Sequence, residues 1–424
     1  METLRNAGVP SAMMGRPGGG IERVDIVVDG ARIASISPHV PGVRPGRDLD
    51  GGLVLPALVD IHTHLDKGHI WPRRPNEDGT WETALTRSLQ DTAENWSAED
   101  VERRMDFALR CAYAHGTAAI RTHIESAPPQ HDVSWPVFEA MRDRWAGRIE
   151  LQAVSLFGPD TLVTPTALDT VARRTAEAGG LLGGAVRSFD RTREAMLALV
   201  ETAGKYNIDI DLHADETGDP ASHVLETLAD VVIETGFAGR VTAGHCCVLT
   251  VQDEATQKRT IDKVARAGIA IVSLPMCNLY LQDREPAGNV TPMRRGVTLV
   301  HEFRAAGVPV AIASDNTRDP FYAYGDLDAL EVLREGARIL HFDHPQDEAW
   351  SWARTVAGDA AAIAGFGYKA EIRVGAPADL TLFRARTWTE LLARPQSDRV
   401  VLRNGVAIDT TLPDYRELDD LMEA

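Results

Sequence analysis

The sequence predicts an α/β fold: a (β/α)8 TIM barrel carrying a small β-sandwich domain formed by both termini. Three observations predict it. Short apolar runs alternate with longer amphipathic stretches through the middle of the chain. Both ends read as β-hairpins. Ionisable residues gather where the apolar runs end. Strand–helix alternation implies parallel pairing through right-handed crossovers, and eight such units over roughly 260 residues match the size of a closed barrel. An open doubly wound sheet is the alternative, but it would not use eight evenly spaced repeats.

Taken in order, the first hairpin lies within 20–55, where ERVDIVVDGARIASISP alternates and turns at Asp29-Gly30. The expected barrel strands are LVDIHTH (58–64), AAIRTHI (118–124), ELQAVSLF (150–157), LLGGAVRSF (181–189), DIDLHAD (209–215), RVTAGHC (240–246), IAIVSLP (269–275) and PVAIASD (309–315). Helical spacing fills 98–116, 193–206 and 258–268. Hairpin patterns return at 374–385 and at 399–409, the latter turning at Asn404-Gly405. Residues 1–55 with 366–424 are therefore expected to form the small domain, and 56–365 the barrel.

Composition narrows the function. Against 44 Lys and Arg stand 62 Asp and Glu, a formal charge of −18. That excess argues against a nucleic-acid partner, which needs a basic surface. The four cysteines, Cys111, Cys246, Cys247 and Cys277, form no CxxC pair, which points to a reducing compartment. METLRNAGVPSAMMGRPGGG lacks a basic segment followed by a long apolar one, and no apolar run approaches the ~18–20 residues that span a bilayer. The expectation is a cytoplasmic protein with no membrane partner.

In a barrel, catalytic groups sit at the C-terminal ends of strands. The first expected strand ends in His62, Thr63 and His64. The second carries Arg121, Thr122, His123 and Glu125. The fifth ends in His213 and Glu216, the sixth in His245, and the eighth in Asp315 and Asn316. Residues i and i+2 of a strand face one side, so His62 and His64 can both face the barrel axis. With His213 and Asp315 they offer three imidazoles and a carboxylate, a set suited to one divalent ion, Zn²⁺ or Fe²⁺, with Mn²⁺ sharing the same ligands. A bound ion lowers the pKa of its water towards neutrality. Taken singly, each residue has a plainer reading. A lone buried histidine is more often structural, Asp315 could cap a helix, and His245 could be core. Their joint placement at strand ends decides for a metal site. The third and fourth strands contain no lysine that could bridge two ions once carboxylated, so one metal is expected. No PCxxC follows HADE, and GxSxG and GK[ST] are absent.

LPALVDIHTHLDK, RTHIE, DLHADE, AGHC, SDNTRDPFYAYGDLD and GAPADL together resemble the amidohydrolase superfamily, in its cytosine deaminase-like branch, from about Asp25 to Asp409. The resemblance implies a metal-dependent barrel. His62, His64, His213 and Asp315 would hold the metal. Glu216 would carry a proton to a ring nitrogen of the substrate, and His245 would orient the attacking hydroxide, with Asp315 also taking part in catalysis. An exocyclic amine would leave as ammonia. Cytosine deaminases carry a glutamine where this chain has Gly158, and a second acid where it has Asn316. Losing two such contacts implies a different substrate. Asp66, Lys67, Gly158, Asn278, Gln282 and Asn316 are the expected substrate contacts. Phe321 and Tyr322 are candidate stacking groups, and Trp71 and Trp81 a candidate lid. The expected function is deamination of a small nitrogen heterocycle: cytosine-like, isocytosine, creatinine, aminotriazine or similar. Alternatives are hydrolysis of a cyclic amide or N-alkylamine, and a non-catalytic metal-binding scaffold. Members of this branch are commonly homo-oligomers, and the resemblance implies the same here.

Overall fold

The computed structural model describes residues 1–42, 45–284, 290–345 and 348–423. Residues 43, 44 and 424 of the expected small domain lie outside the described residues, as do 285–289 and 346–347 of the expected barrel.

The N-terminal strands are β1 (Glu2–Pro10), β2 (Ile21–Asp29), β3 (Arg32–Pro38), β4 (Arg47–Asp48) and β5 (Val54–Pro56). The first four form one sheet in the order β3-β2-β1-β4. The expected hairpin is β2–β3, and Gly30 takes a left-handed φ of 56° at its turn. β1 was not expected, because 1–10 shows no clear alternation.

The middle of the chain begins with β6 (Leu58–Thr63), α1 (Trp81–Asn95), α2 (Ala98–His115), β7 (Thr117–Glu125), α3 (His131–Trp145) and β8 (Glu150–Leu156). It continues with α4 (Pro159–Leu162), α5 (Pro165–Glu177), β9 (Ala185–Val186), α6 (Thr192–Tyr206), β10 (Ile210–Ala214), α7 (Val224–Thr235) and β11 (Val241–His245). Then come α8 (Glu254–Ala267), β12 (Ala270–Ser273), α9 (Pro275–Leu281), α10 (Val300–Ala305), β13 (Val310–Ile312) and α11 (Ala329–Leu340). β6-β7-β8 form one parallel sheet and β13-β12-β11-β10-β9 another. Every residue of β10 to β13 is buried, as expected of parallel strands covered on both faces. Parallel bridges join Val154 to Leu181, Leu182 to Ile210, and Thr63 to Asp315.

Near the C-terminus, β14 (Leu380–Leu382), β15 (Val400–Arg403) and β16 (Val406–Ala407) pair with β5 in the order β16-β15-β14-β5. Asn404 and Gly405 both take positive φ, 50° and 78°, as a two-residue hairpin turn requires. This sheet meets the N-terminal one where Ile33 donates to the Ala376 carbonyl at 3.0 Å and Gly375 donates back to Ile33 at 2.8 Å.

The expected strand 181–189 shrinks to Ala185–Val186 plus two bridges. Gly183 explains this: a Cβ there would stand 2.5 Å from the Ser155 carbonyl and 2.6 Å from that of Asp211. The backbone passes between its neighbours too closely for a regular side-chain-bearing strand. No helix among the described residues is long and apolar enough to cross a membrane.

One buried charge network fixes the entrance helices. Arg73 bonds Asp91 of α1 and Asp100 of α2, and Trp96 donates to Asp91 at 2.8 Å. Arg104, fully buried on α2, donates to the carbonyls of Asp66 and Gly68. The loop after β6 is therefore anchored to α2, and α2 to α1.

Candidate active site

The histidines meet at one point. His213 Nε2 lies 3.1 Å from His62 Nε2 and 3.2 Å from His64 Nε2. Asp315 Oδ1 lies 3.1 Å from His64 Nε2 and 3.6 Å from His62 Nε2. Ligands about 2.0–2.2 Å from a shared tetrahedral centre stand roughly 3.3 Å apart, so these separations fit one small cation. His62, His213, His245 and Asp315 also form a group whose candidate ligand atoms lie within 4.8 Å of one another. The two sets share three members and differ in His64 against His245.

Backbone geometry aims these groups. His62 and His64 share a face because β6 is extended through Thr63. His245 ends β11 and Asp315 lies three residues beyond β13, with φ of 68° and 65°, a region that His and Asp tolerate better than most residues. Asp315 donates its backbone N–H to the His62 carbonyl at 2.8 Å, which ties the end of β13 to β6. Gly244 makes room: a Cβ there would stand 3.0 Å from His62 Nδ1.

Electrostatics suit a cation. Burial, with the neighbouring imidazoles and Lys67, holds His62 and His64 well below the usual histidine range; burial and the other imidazoles do the same for His213. They are neutral, with lone pairs free to bind metal. Burial pushes the Asp315 carboxyl up to about 7, and beyond the Cys277 thiol and the neighbouring imidazoles its buried oxygens have no partner. A buried carboxylate so sparsely partnered is costly, and a cation among the four groups would remove that cost.

Beside the cluster, Glu216 Oε2 accepts from Trp81 Nε1 at 2.7 Å and Oε1 accepts from the Asn278 amide at 3.3 Å. The same amide donates to His245 Nδ1 at 3.0 Å. Two acceptors, one of them a carboxylate, require the NH₂ end of Asn278 at this point. His245 Nδ1 also lies 3.3 Å from Glu216 Oε1; with Asn278 donating to Nδ1, the ring proton is assigned to Nε2, which is buried and has no other partner.

A cavity of about 330 Å³ opens above this machinery. Its wall includes His64, Asp66, Lys67, Gly158, Glu216, His245, Asp315, Asn316 and Phe321. Helix α1 covers one side with Trp81, Leu85, Ser88, Leu89 and Thr92, one helical face. This explains two leucines left 36% and 54% exposed. Lys67 is 8% exposed; its ammonium lies 4.2 Å from the centre of the Phe321 ring and has no hydrogen-bond acceptor among the described residues. Burial pushes Asp66 up to about 6 and Glu125, also in the wall, up to about 7.

Several expected contacts fall elsewhere. Asn278 grips Glu216 and His245 directly. Gln282 lines a neighbouring cavity on the far side of Trp81, against Gly218 and Gly296. Asn316 is in the wall, but its amide is held by Asp319 at 2.8 Å. Trp81 covers the cavity, whereas Trp71 is half-buried outside its wall and Tyr322 packs against Tyr280 and Tyr324. Sequence reasoning left His123 without a role; its ring centre is 4.1 Å from that of His62 and 4.4 Å from that of His213. Its place at the end of RTH, like that of HTH, was the available signal.

Comparison with known proteins agrees with this geometry. The amidohydrolase family model matches residues 99–411. The chain is 52% identical to the pterin deaminase of Rhizobium rhizogenes over 99% of its own length and 97% of that protein. It is 25% identical to N-isopropylammelide isopropyl amidohydrolase of a Pseudomonas species over 90% of this chain and 92% of that one. Among solved structures, 5-methylcytosine deaminase from Klebsiella pneumoniae liganded with phosphonocytosine superposes with a TM-score of 0.81 at 25% identity, covering 96% and 98% of the two chains. With the model matched over most of its length, the chain belongs to the amidohydrolase family and is a hydrolytic enzyme acting on C–N bonds.

Proposed function

We propose that the protein is a metal-dependent deaminase of a bicyclic nitrogen heterocycle of the pterin class, working with one divalent ion held by His62, His64, His213 and Asp315. The observation that carries this reading is the Trp81–Glu216–Asn278–His245 hydrogen-bonded set, placed beside a cation-sized ligand cluster and open to a cavity large enough for a small molecule. The substrate class rests on the 52% identity to a pterin deaminase. Two features of the cavity agree with a second ring. A Cβ built on Gly158 would meet nothing within 4 Å, so space is open where the cytosine enzymes place a glutamine. The unpaired Lys67 ammonium is suited to a carbonyl oxygen or acceptor nitrogen of the heterocycle.

When bound, the ion supplies a hydroxide nucleophile at neutral pH. His245, its ring fixed by Asn278, would present Nε2–H to that nucleophile. Glu216, fixed by Trp81 and Asn278, delivers a proton to the ring nitrogen beside the attacked carbon, and a proton returned to the amine lets ammonia leave. Asp66, Lys67 and Asn316 face the ring.

The parallel bridges between β6 and the end of β13, and from β8 across Leu181–Leu182 to β10, support a closed barrel over 56–365. The two terminal sheets in contact support a β-sandwich of 1–55 with 366–424. Four buried cysteines in no disulfide support a cytoplasmic location.

The test is ammonia release from a panel of pterins, cytosine, isocytosine, creatinine and aminotriazines, with defined metal added. Pterin is expected to be turned over best. Release of an alkylamine without ammonia would replace deamination by N-alkylamine hydrolysis, and no turnover by the metal-replete protein would favour a scaffold. The ring-size argument has its own check. Gly158 has an ordinary φ of −84°, so glutamine can stand there without backbone strain. Gly158→Gln is expected to lower kcat/KM for pterin by about 10–100-fold, one to three kcal/mol of lost fit, with the melting temperature unchanged. Equal pterin turnover in the variant would place the ring elsewhere in the cavity.

A further inference from the structure

We infer that Glu216, Cys277 and Asp315 form a second, inhibitory cation site that shares Asp315 with the first and takes a thiophilic divalent ion such as Zn²⁺ or Cd²⁺. One candidate ligand atom from each lies within 4.8 Å of the others, and all three residues are buried, at 8%, 0% and 1% exposure.

Three further observations support the site. Asp315 Oδ1 faces the histidines, at 3.1 Å from His64 Nε2, while Oδ2 is also buried. A carboxylate that meets imidazoles through one oxygen and the Cys277 thiol beside it can serve an ion on either side. The Cys277 thiol makes long contacts, 3.5 Å to Asn316 Oδ1 and 3.9 Å to the Phe321 carbonyl, and hydrogen-bonds the Asp315 carboxylate, so a cation there would replace the proton already shared between sulfur and carboxylate. Cys277 also immediately precedes Asn278 on α9, the residue whose amide places Glu216. The donor set of one thiolate and two carboxylates favours zinc or cadmium over magnesium or calcium.

Binding breaks the Cys277 S–H bond and forms a sulfur–metal bond. The proton leaves to solvent, and nothing is oxidised or reduced. The ion occupies lone pairs of Glu216, so the proton carrier is lost while the first ion stays. This consequence rests on the proposed role of Glu216; the site itself does not.

The experiment titrates the one-ion enzyme with Zn²⁺ and, separately, with Cd²⁺. It reads turnover, bound-ion stoichiometry by equilibrium dialysis, and the ultraviolet cadmium–thiolate charge-transfer band. A second equivalent is expected to bind, to inhibit, and to produce the band. Cys277→Ser should lack the band and need roughly 10–100-fold more ion for the same inhibition, as for loss of a metal-site contact. Cys277→Ala should behave alike, and either variant suffices if the other does not fold. Cys247→Ser is the control, because that buried thiol also lies near Glu216; it should keep both band and inhibition. A single equivalent, or the same band and inhibition in both Cys277 variants, overturns the proposal. A protein that turns over no heterocycle but still shows the band and second equivalent would overturn the proposed function and leave the site standing.

Discussion

Glu216→Gln is expected to lower kcat by about 10²–10⁴-fold, the range for loss of a positioned proton carrier, while bound metal stays at the wild-type level. The reason lies in how the carboxylate is held. Trp81 and Asn278 each donate to one of its oxygens. Glutamine keeps the volume but presents an NH₂ to one of those donors and carries no transferable acid proton. Because Glu216 is not among His62, His64, His213 and Asp315, the ion should remain. Metal analysis by emission spectroscopy, beside steady-state rates with pterin, reads both halves of the expectation. Turnover within a few-fold of wild type would move the proton carrier elsewhere, and Glu125 is the next acid in the cavity wall.

The clustering of these histidines with Asp315 was legible in the sequence because it depends on strand periodicity and on the order of the parallel strands. His62 and His64 are two apart at the end of β6, and His213, His245 and Asp315 lie at or just past the C-terminal ends of other parallel strands. The partners that tune them are long-range and left no such trace. Trp81 reaches Glu216 across 135 positions, and the aromatic-rich connection before it suggested only a lid. Asn278 shows the same limit differently. Its segment was expected at the site, but whether its amide faces the cavity or Glu216 and His245 depends on a helix turn that composition does not specify. Gln282 lies four residues on, one helical turn further along, and ends up behind Trp81. The strand 181–189 failed because a paired glycine run with apolar flanks fits both an extended strand and a close backbone crossing. Only the neighbours Ser155 and Asp211 decide between them. β1 escaped because a bulge between Leu4 and Ala7 breaks its alternation and its last four residues are all buried.

Removing the metal is expected to abolish turnover altogether, and substitution of two histidines should tell which of the overlapping sets holds it. His64 and His245 compete for the fourth place, and their protons separate them. His245 Nδ1 accepts from Asn278, so its Nε2 carries the hydrogen and cannot ligate at the same time. His64 Nε2 meets only other candidate ligands, at 3.2 Å from His213 Nε2 and 3.1 Å from Asp315 Oδ1, with the ring held neutral by burial. His64→Ala should therefore lose the ion, and His245→Asn should keep it while losing most turnover. Calorimetry adds a readout independent of substrate. A ligand that binds only the folded chain stabilises it by RT ln(1 + [L]/Kd), about 4 kcal/mol at a thousandfold excess over Kd. Chelation of wild type should lower the melting temperature, and added Zn²⁺, Fe²⁺ or Mn²⁺ should restore it. His245→Asn should respond in the same way and His64→Ala only weakly. The opposite pattern would put His245 in the ligand set, and would require the Asn278 amide to be turned so that its oxygen, now buried without a partner, faces the ring.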